Sequence, residues 1–132
     1  MTASVPEAMR HLFDEPALAH VSYLSEAGQI VTFPMWVDFD GTNLTVSSPV
    51  GSRKGQAVRL RPQVSVSIVS TKTPWQWLSV SGRVVDIQPD EDLAWIDRMS
   101  QKYVGQLYQR RSPREVFTIE IDRVGHSGSW GS

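Results

Sequence analysis

The feature that most limits what this chain can fold into is a period-two alternation of apolar and polar residues, repeated in short runs that turn signals separate. Val64, Val66 and Ile68 alternate with Ser65 and Ser67, as a strand with one buried face requires. Leu78 and Val80 alternate with Trp77, Ser79 and Ser81 in a run over 77–87, and Phe117, Ile119 and Ile121 alternate with Val116, Thr118 and Glu120. Upstream, an apolar run over 17–24 passes through Ser25-Glu26-Ala27-Gly28 into a second run over 30–39. Asp40-Gly41-Thr42-Asn43 then turns the chain into a third strand at 44–48. Six strands in hairpin order with short helices between them predict a mainly β protein, a small antiparallel barrel rather than a doubly wound sheet.

Three segments break the alternation. Pro6 opens a short amphipathic helix that puts Met9, Leu12 and Phe13 on one face. Ser52 is the N-cap of a second helix, which Pro62 stops. Asp90-Glu91-Asp92 places carboxylates at the start of a third, whose Leu93, Ile96, Met99 and Tyr103 recur at helical spacing until Gly105.

With 132 residues, 40% of them hydrophobic, the chain reads as one domain over 1–132 with enough apolar matter for a core. Gly131 and Ser132 read as a cloning scar after an end at Trp130. Thirteen basic against fourteen acidic residues give a net charge of -1, so no global field would hold the molecule on nucleic acid or an anionic membrane. The absence of cysteine removes disulfides, thiolate metal sites and thiol nucleophiles. No apolar window reaches membrane-spanning length and the first residues lack a signal-peptide pattern, so a cytoplasmic location is expected.

The segment with most chemistry is Ser47-Ser48-Pro49-Val50-Gly51-Ser52-Arg53-Lys54, where a strand end runs through a glycine turn into a helix start. Helix-terminal N–H groups, serine hydroxyls and two adjacent cations converge there as an anion site, a phosphate being the natural guest. Spacing alone leaves a second reading open, a solvated cationic pair beside a turn. His11, His20 and His126 have no ligand partner at metal spacing and read as structural. Asp38, Asp40 and Asp90-Glu91-Asp92 fit turn and helix-start chemistry. No acid or base is assigned, so the catalytic residues stay unknown. Trp36, Trp75 and Trp77 offer flat surfaces for a ring, whereas Trp95 on a helix face reads as packing or a dimer contact. Arg59 and Arg61 extend the basic patch or lie on a solvated helix face.

Gly51-Ser52-Arg53-Lys54, then Pro62-Gln63-Val64-Ser65-Val66, then Val80-Ser81-Gly82-Arg83 resemble the pyridoxamine 5'-phosphate oxidase family of flavin-binding split barrels over most of the chain. The resemblance implies a six-stranded antiparallel split barrel of the FMN-binding type, a homodimer with its cofactor at the interface. It implies that Gly51, Ser52, Arg53 and Lys54 hold the cofactor phosphate and that Ser47 and Ser48 touch the cofactor. By the same resemblance, Phe33, Pro34, Met35, Trp36 and Val37 lie along the ring, and Gln76 and Trp77 reach the ring from the partner subunit. The oxidases' Arg-x-His-Asp-Arg motif has no counterpart here, which speaks against pyridoxamine phosphate as substrate. The stretches 75–83, 101–105 and 114–124 resemble the short actinobacterial branch that uses the deazaflavin coenzyme F420.

The expectation is therefore an oxidoreductase that binds coenzyme F420 and transfers a hydride to a planar conjugated small molecule, the ring carrying the chemistry. FMN is the alternative cofactor, for a flavin reductase or an oxidase. A reading from another class is a non-catalytic carrier of a flavin, haem or tetrapyrrole. Nucleic acid and membranes are not expected partners.

Overall fold

The computed structural model describes residues 3–127. Seven strands form one antiparallel sheet in the order β2-β1-β5-β6-β7-β4-β3. They are β1 (Ala19–Leu24), β2 (Ile30–Met35), β3 (Asp38–Phe39), β4 (Leu44–Pro49), β5 (Gln63–Val69), β6 (Trp77–Pro89) and β7 (Arg114–His126). The order explains the shape. β2 and β3 are neighbours in sequence yet occupy opposite edges of the sheet. Laid flat at about 4.8 Å per strand, those edges would stand about 29 Å apart, whereas the three peptide units from Met35 to Asp38 reach at most about 11 Å. The sheet must therefore curl until its edges meet, which makes it the split barrel expected from the sequence.

Seven strands replace the six predicted because the run over 30–39 is two strands. At the break the Val37 N–H donates to Tyr103 Oη at 3.2 Å, and the Val37 carbonyl accepts from Lys102 Nζ at 2.9 Å. Side chains of a helix thus satisfy the backbone where it leaves one edge for the other.

The interior is a single cluster in which Val21, Val46, Val64, Val66, Ile68, Leu78, Val80, Ile119 and Ile121 are all buried. Met9, Leu12 and Phe13 join it from a 3-10 helix over Glu7–Phe13, whose three-residue repeat puts Met9 and Leu12 on the same side. β6 and β7 are 13 residues each and shift register at Ser81/Gly82 and again at Val84/Asp86, bulges that bend long strands around the barrel.

Outside the sheet lie α1 (Arg53–Leu60) and α2 (Ala94–Val104). α2 starts later than the acidic run predicts, because Asp92 and Leu93 take left-handed conformations at φ 55° and 57°. Asp90 still serves its N-terminus: its carboxylate accepts from the N–H groups of Trp95 at 2.8 Å and Ile96 at 3.0 Å. Leu93, Trp95, Ile96 and Met99 form a second cluster with Trp36, Tyr103 and Tyr108 packed against it. Among the described residues no helix is long and apolar enough to cross a membrane. The expected cloning scar and Trp130 lie outside the described residues.

Two tests of this packing follow from single residues. A Cβ on Gly82 would overlap the Glu120 carbonyl oxygen across the bulge, so Gly82→Ala forces backbone apart and is expected to cost about 2–3 kcal/mol by denaturant titration. The buried Glu15 carboxylate accepts from the Ser70 hydroxyl at 3.0 Å, the Thr71 hydroxyl at 2.9 Å and the Thr71 N–H at 2.8 Å. Burial alone would raise its pKa, but these donors and His11 hold it below the ordinary 4.5. Its contribution is present above the unfolded value and lost as pH falls through the folded one. Wild type should exceed Glu15→Gln in stability by about 1.5–3 kcal/mol at neutral pH, with the gap closing in acid.

Candidate functional site

β4 delivers Ser47, Ser48 and Pro49 to a turn in which Gly51 takes φ 80°, a conformation that suits glycine, and the chain then enters α1. Ser52 caps the helix by accepting from the Gly55 N–H at 3.0 Å, and it also accepts the Ser48 hydroxyl at 2.7 Å. With both acceptor positions of Ser52 Oγ engaged, its own hydrogen is left to donate to a ligand. The first-turn N–H groups of α1 add donors without intrahelical partners.

Lys54 and Arg114 complete the cationic end. Lys54 Nζ lies 3.7 Å from the centroid of the Phe33 ring. Arg114 donates from Nε to Ser47 Oγ at 3.0 Å and covers the Tyr108 ring at 5.2 Å. Burial pulls the Lys54 pKa below the ordinary 10.5, and the charge of Arg114 pulls it the same way. Burial likewise lowers Arg114. Among the described residues neither cation has a carboxylate ion pair. Two partly desolvated positive charges held side by side favour an anion between them.

Ser47, Lys54 and Arg114 border a cleft of about 290 Å³, on whose lining Ser52 is not found. Phe33, Pro34, Met35 and Trp36 form one wall, Trp95, Ile96 and Tyr108 face it, and Ser47, Pro49, Lys54 and Arg114 close the polar end. Trp36 is fixed by stacking on Tyr103, with centroids 5.2 Å apart and planes at 8°, and by an edge contact with Tyr108 at 5.9 Å. Trp95 is 7% exposed and donates from Nε1 to Thr45 Oγ1 at 3.0 Å. Among the described residues no group of three His, Cys, Asp or Glu gathers as a metal site would need.

Of the residues named from sequence, the structure gathers Phe33, Pro34, Met35, Trp36, Ser47 and Lys54 around the cleft. Ser48 stands behind Ser52, 2% exposed. Gly51 on the turn and Arg53 at the first position of α1 are exposed. The Val37 side chain points into the barrel core instead, because its backbone is turned to α2. Gln76 and Trp77 do not line the cleft of their own chain. Gln76 Oε1 meets His11 Nε2 at 3.0 Å, and Trp77 starts β6 opposite Val69. The basic extension through Arg59 and Arg61 is otherwise engaged. Arg59 pairs with Glu115 at 2.6 Å, and Arg61 donates to the Ser25 carbonyl at 2.6 Å.

Sequence reasoning missed Leu18, Pro49, Ile96, Tyr108 and Arg114 as cleft residues and read Trp95 as packing or a dimer contact. Arg114 enters because β7 pairs with β4 in the register Pro49↔Arg114. An arginine directly after Pro113 at the head of an apolar strand was the available signal.

The sequence profile described as pyridoxamine 5'-phosphate oxidase matches residues 5–128. The chain, a split barrel, belongs to the pyridoxamine 5'-phosphate oxidase family. No curated protein matches it in sequence. Among solved structures it is similar to an F420 reductase, at 24% identity and TM-score 0.83, over 92% of this chain and 98% of that one. It is also similar to general stress protein 26 from Bacillus anthracis str. Sterne, at 13% identity and TM-score 0.69, over 91% of each chain. HupZ from Group A Streptococcus is 14% identical with TM-score 0.65, over 92% of this chain and 93% of that one. At these identities the likeness shows the shared fold.

The electrostatics of the cleft give a sign that a titration can check. Charged Lys54 is the anion-binding form, so the shift in Tm produced by inorganic phosphate should shrink as pH rises through the lowered Lys54 pKa, before 10.5 is reached. Without phosphate the sign reverses. The unfolded chain holds that proton more tightly, so the fold gains stability between the lowered value and 10.5. Lys54→Met should remove both dependences in thermal melts across alkaline pH.

Proposed function

We propose that this protein is an oxidoreductase that holds coenzyme F420 in the cleft and, as a homodimer, reduces a planar conjugated small molecule. The observation that carries the reading is the juxtaposition of Lys54 and Arg114, partly desolvated and without a carboxylate ion pair among the described residues, at one end of the Phe33–Trp36 wall. The residues fit a phosphate-bearing tricycle. Ser52 Oγ, the α1 N–H groups, Lys54 and Arg114 supply donors and charge for the phosphate. Phe33, Pro34 and Trp36 present a flat apolar face, and Trp95 and Ile96 keep water from the opposite side. When bound, F420 supplies a hydride, which is the redox chemistry the side chains lack. Likeness to the F420 reductase over 98% of that chain supports the choice of cofactor.

FMN is the second reading, and one observation favours it. Arg59 and Arg61 are held by Glu115 and Ser25, which leaves the exposed Arg53 as the cation nearest in sequence for the anionic oligoglutamate tail that distinguishes F420.

The dimer is supported by what one chain lacks. A cleft of about 290 Å³ falls at the small end of ligand sites, which run from about 300 to 1,000 Å³. Gln76 and Trp77 lie outside it, so only a second copy would bring them to the ring. Phe33 and Trp75 are 45% and 68% exposed, apolar surface that a partner would cover.

Fluorescence titration at two ionic strengths tests the assignment, with F420 expected to bind more tightly than FMN and with the steeper salt dependence. FMN binding tenfold tighter would replace F420 with FMN and leave the fold reading intact. Lys54→Ala and Arg114→Ala should each weaken the cofactor by about 10- to 150-fold, the scale of a hydrogen bond to a charged group. Arg53→Ala should act less, because its side chain is exposed. Light scattering should give twice the mass of the chain; a monomer at micromolar concentration would refute the dimer.

A further inference from the structure

A second cleft, of about 240 Å³, opens where α2 ends and the irregular segment 105–113 begins. It shares Trp36 and Tyr108 with the first cleft and is otherwise built from different residues. Three of its features have no structural explanation within the chain. Ser100 is 1% exposed, lines the cleft, and its Oγ has no hydrogen-bond partner among the described residues. A buried hydroxyl left unpaired lowers stability, and alanine would suit the helix better at that position. Val104 and Leu107 stand 57% and 58% exposed beside it, apolar side chains given to water. Arg110, also on the lining, has no ion pair or hydrogen bond among the described residues, while the adjacent Arg111 grips both carboxylate oxygens of Asp97 at 2.7 and 3.0 Å.

We propose that this second cleft is a ligand site for a small aromatic carboxylate. Its ring would lie against Trp36, Tyr108 and Leu107, and its carboxylate would be drawn by Arg110 while one of the carboxylate oxygens accepts from Ser100 Oγ, the missing partner of that hydroxyl. The three features then have one cause. An aromatic wall and two aliphatic side chains select a flat apolar body. An exposed, unneutralised guanidinium selects a carboxylate over a neutral ring. The unpaired hydroxyl is satisfied only on binding, so its cost to the free protein is returned to the complex. The proposal stands independently of what the first cleft holds.

Calorimetric titration with 2-naphthoate, and with the uncharged 2-naphthamide as comparison, tests it. The expected result is saturable binding of naphthoate at one per chain. Ser100→Ala should weaken it by about fivefold or more while leaving Tm unchanged or higher. Arg110→Gln should weaken naphthoate by a similar factor and leave naphthamide unaffected, and Lys54→Ala should leave naphthoate binding unchanged. The proposal is overturned if naphthoate does not saturate at millimolar concentration, or if its affinity is the same in Ser100→Ala and Arg110→Gln. Loss of binding in Lys54→Ala would place the ligand in the first cleft and equally overturn it. A lowered Tm in Ser100→Ala would show the hydroxyl to be satisfied from within the fold, with the same consequence.

Discussion

Closure of the barrel rests on two residues. Trp36 and Val37 carry the chain from one sheet edge to the other, and no strand ladder holds them there. The closing bonds come from the end of α2. Lys102 Nζ donates to the carbonyls of Phe13 at 2.8 Å and Val37 at 2.9 Å, while Tyr103 Oη donates to the Ala17 carbonyl at 2.6 Å and accepts from the Val37 N–H. Burial depresses the Lys102 pKa and raises that of Tyr103, the mark of polar groups taken out of water to bond backbone. The Tyr103 ring then stacks on Trp36, so one side chain both closes the seam and sets the cleft wall. Phe33, Pro34 and Met35 are set by pairing with β1, and Trp36 by that anchorage.

How much of this the sequence disclosed depends on the range of the interaction. Alternation at 64–68 and 77–87 and the turn residues at 25–28 and 40–43 are local, and they placed the strands and the hairpins β1-β2 and β3-β4, whereas the pairing of β1 with β5 and of β4 with β7 departs from the simple hairpin order expected. The break at Trp36-Val37 was invisible because it answers to Lys102 and Tyr103, about sixty-five residues away. The delayed start of α2 was hidden for the opposite reason. Its acidic run looks like an ordinary first turn, and only the left-handed Asp92 and Leu93 show the chain doubling back before Asp90 caps the helix. Ser52, Lys54 and Ser47 were legible as an anion site because they share one short segment. Arg114 and Tyr108 were not, since they join that segment only through the pairing of β4 with β7 and the packing of the loop beyond α2.

A molecule of net charge -1 makes a positive pocket by committing its carboxylates elsewhere. Asp90 is bound to two N–H groups of α2, Glu115 is held by Arg59, Asp97 by Arg111, and Asp38 by Arg98 at 2.5 Å. Glu115, Asp97 and Asp38 are thereby engaged by other arginines, and Asp90, whose charge favours the charged form of Arg114, makes no ion pair with it. The local field therefore owes as much to where the acids are tied as to where the bases stand.

Trp36 and Tyr108 face both clefts, and this shared partition makes the two spaces thermodynamic neighbours. An occupant that tilts the Trp36 ring on one side alters the surface offered on the other. Whatever free energy that displacement transfers from the first cleft to the second must, by linkage, return in equal measure from the second to the first. The stack on Tyr103 sets the stiffness of the partition, and the same tyrosine closes the barrel seam. The partition between the two spaces and the seam of the barrel thus rest on one tyrosine.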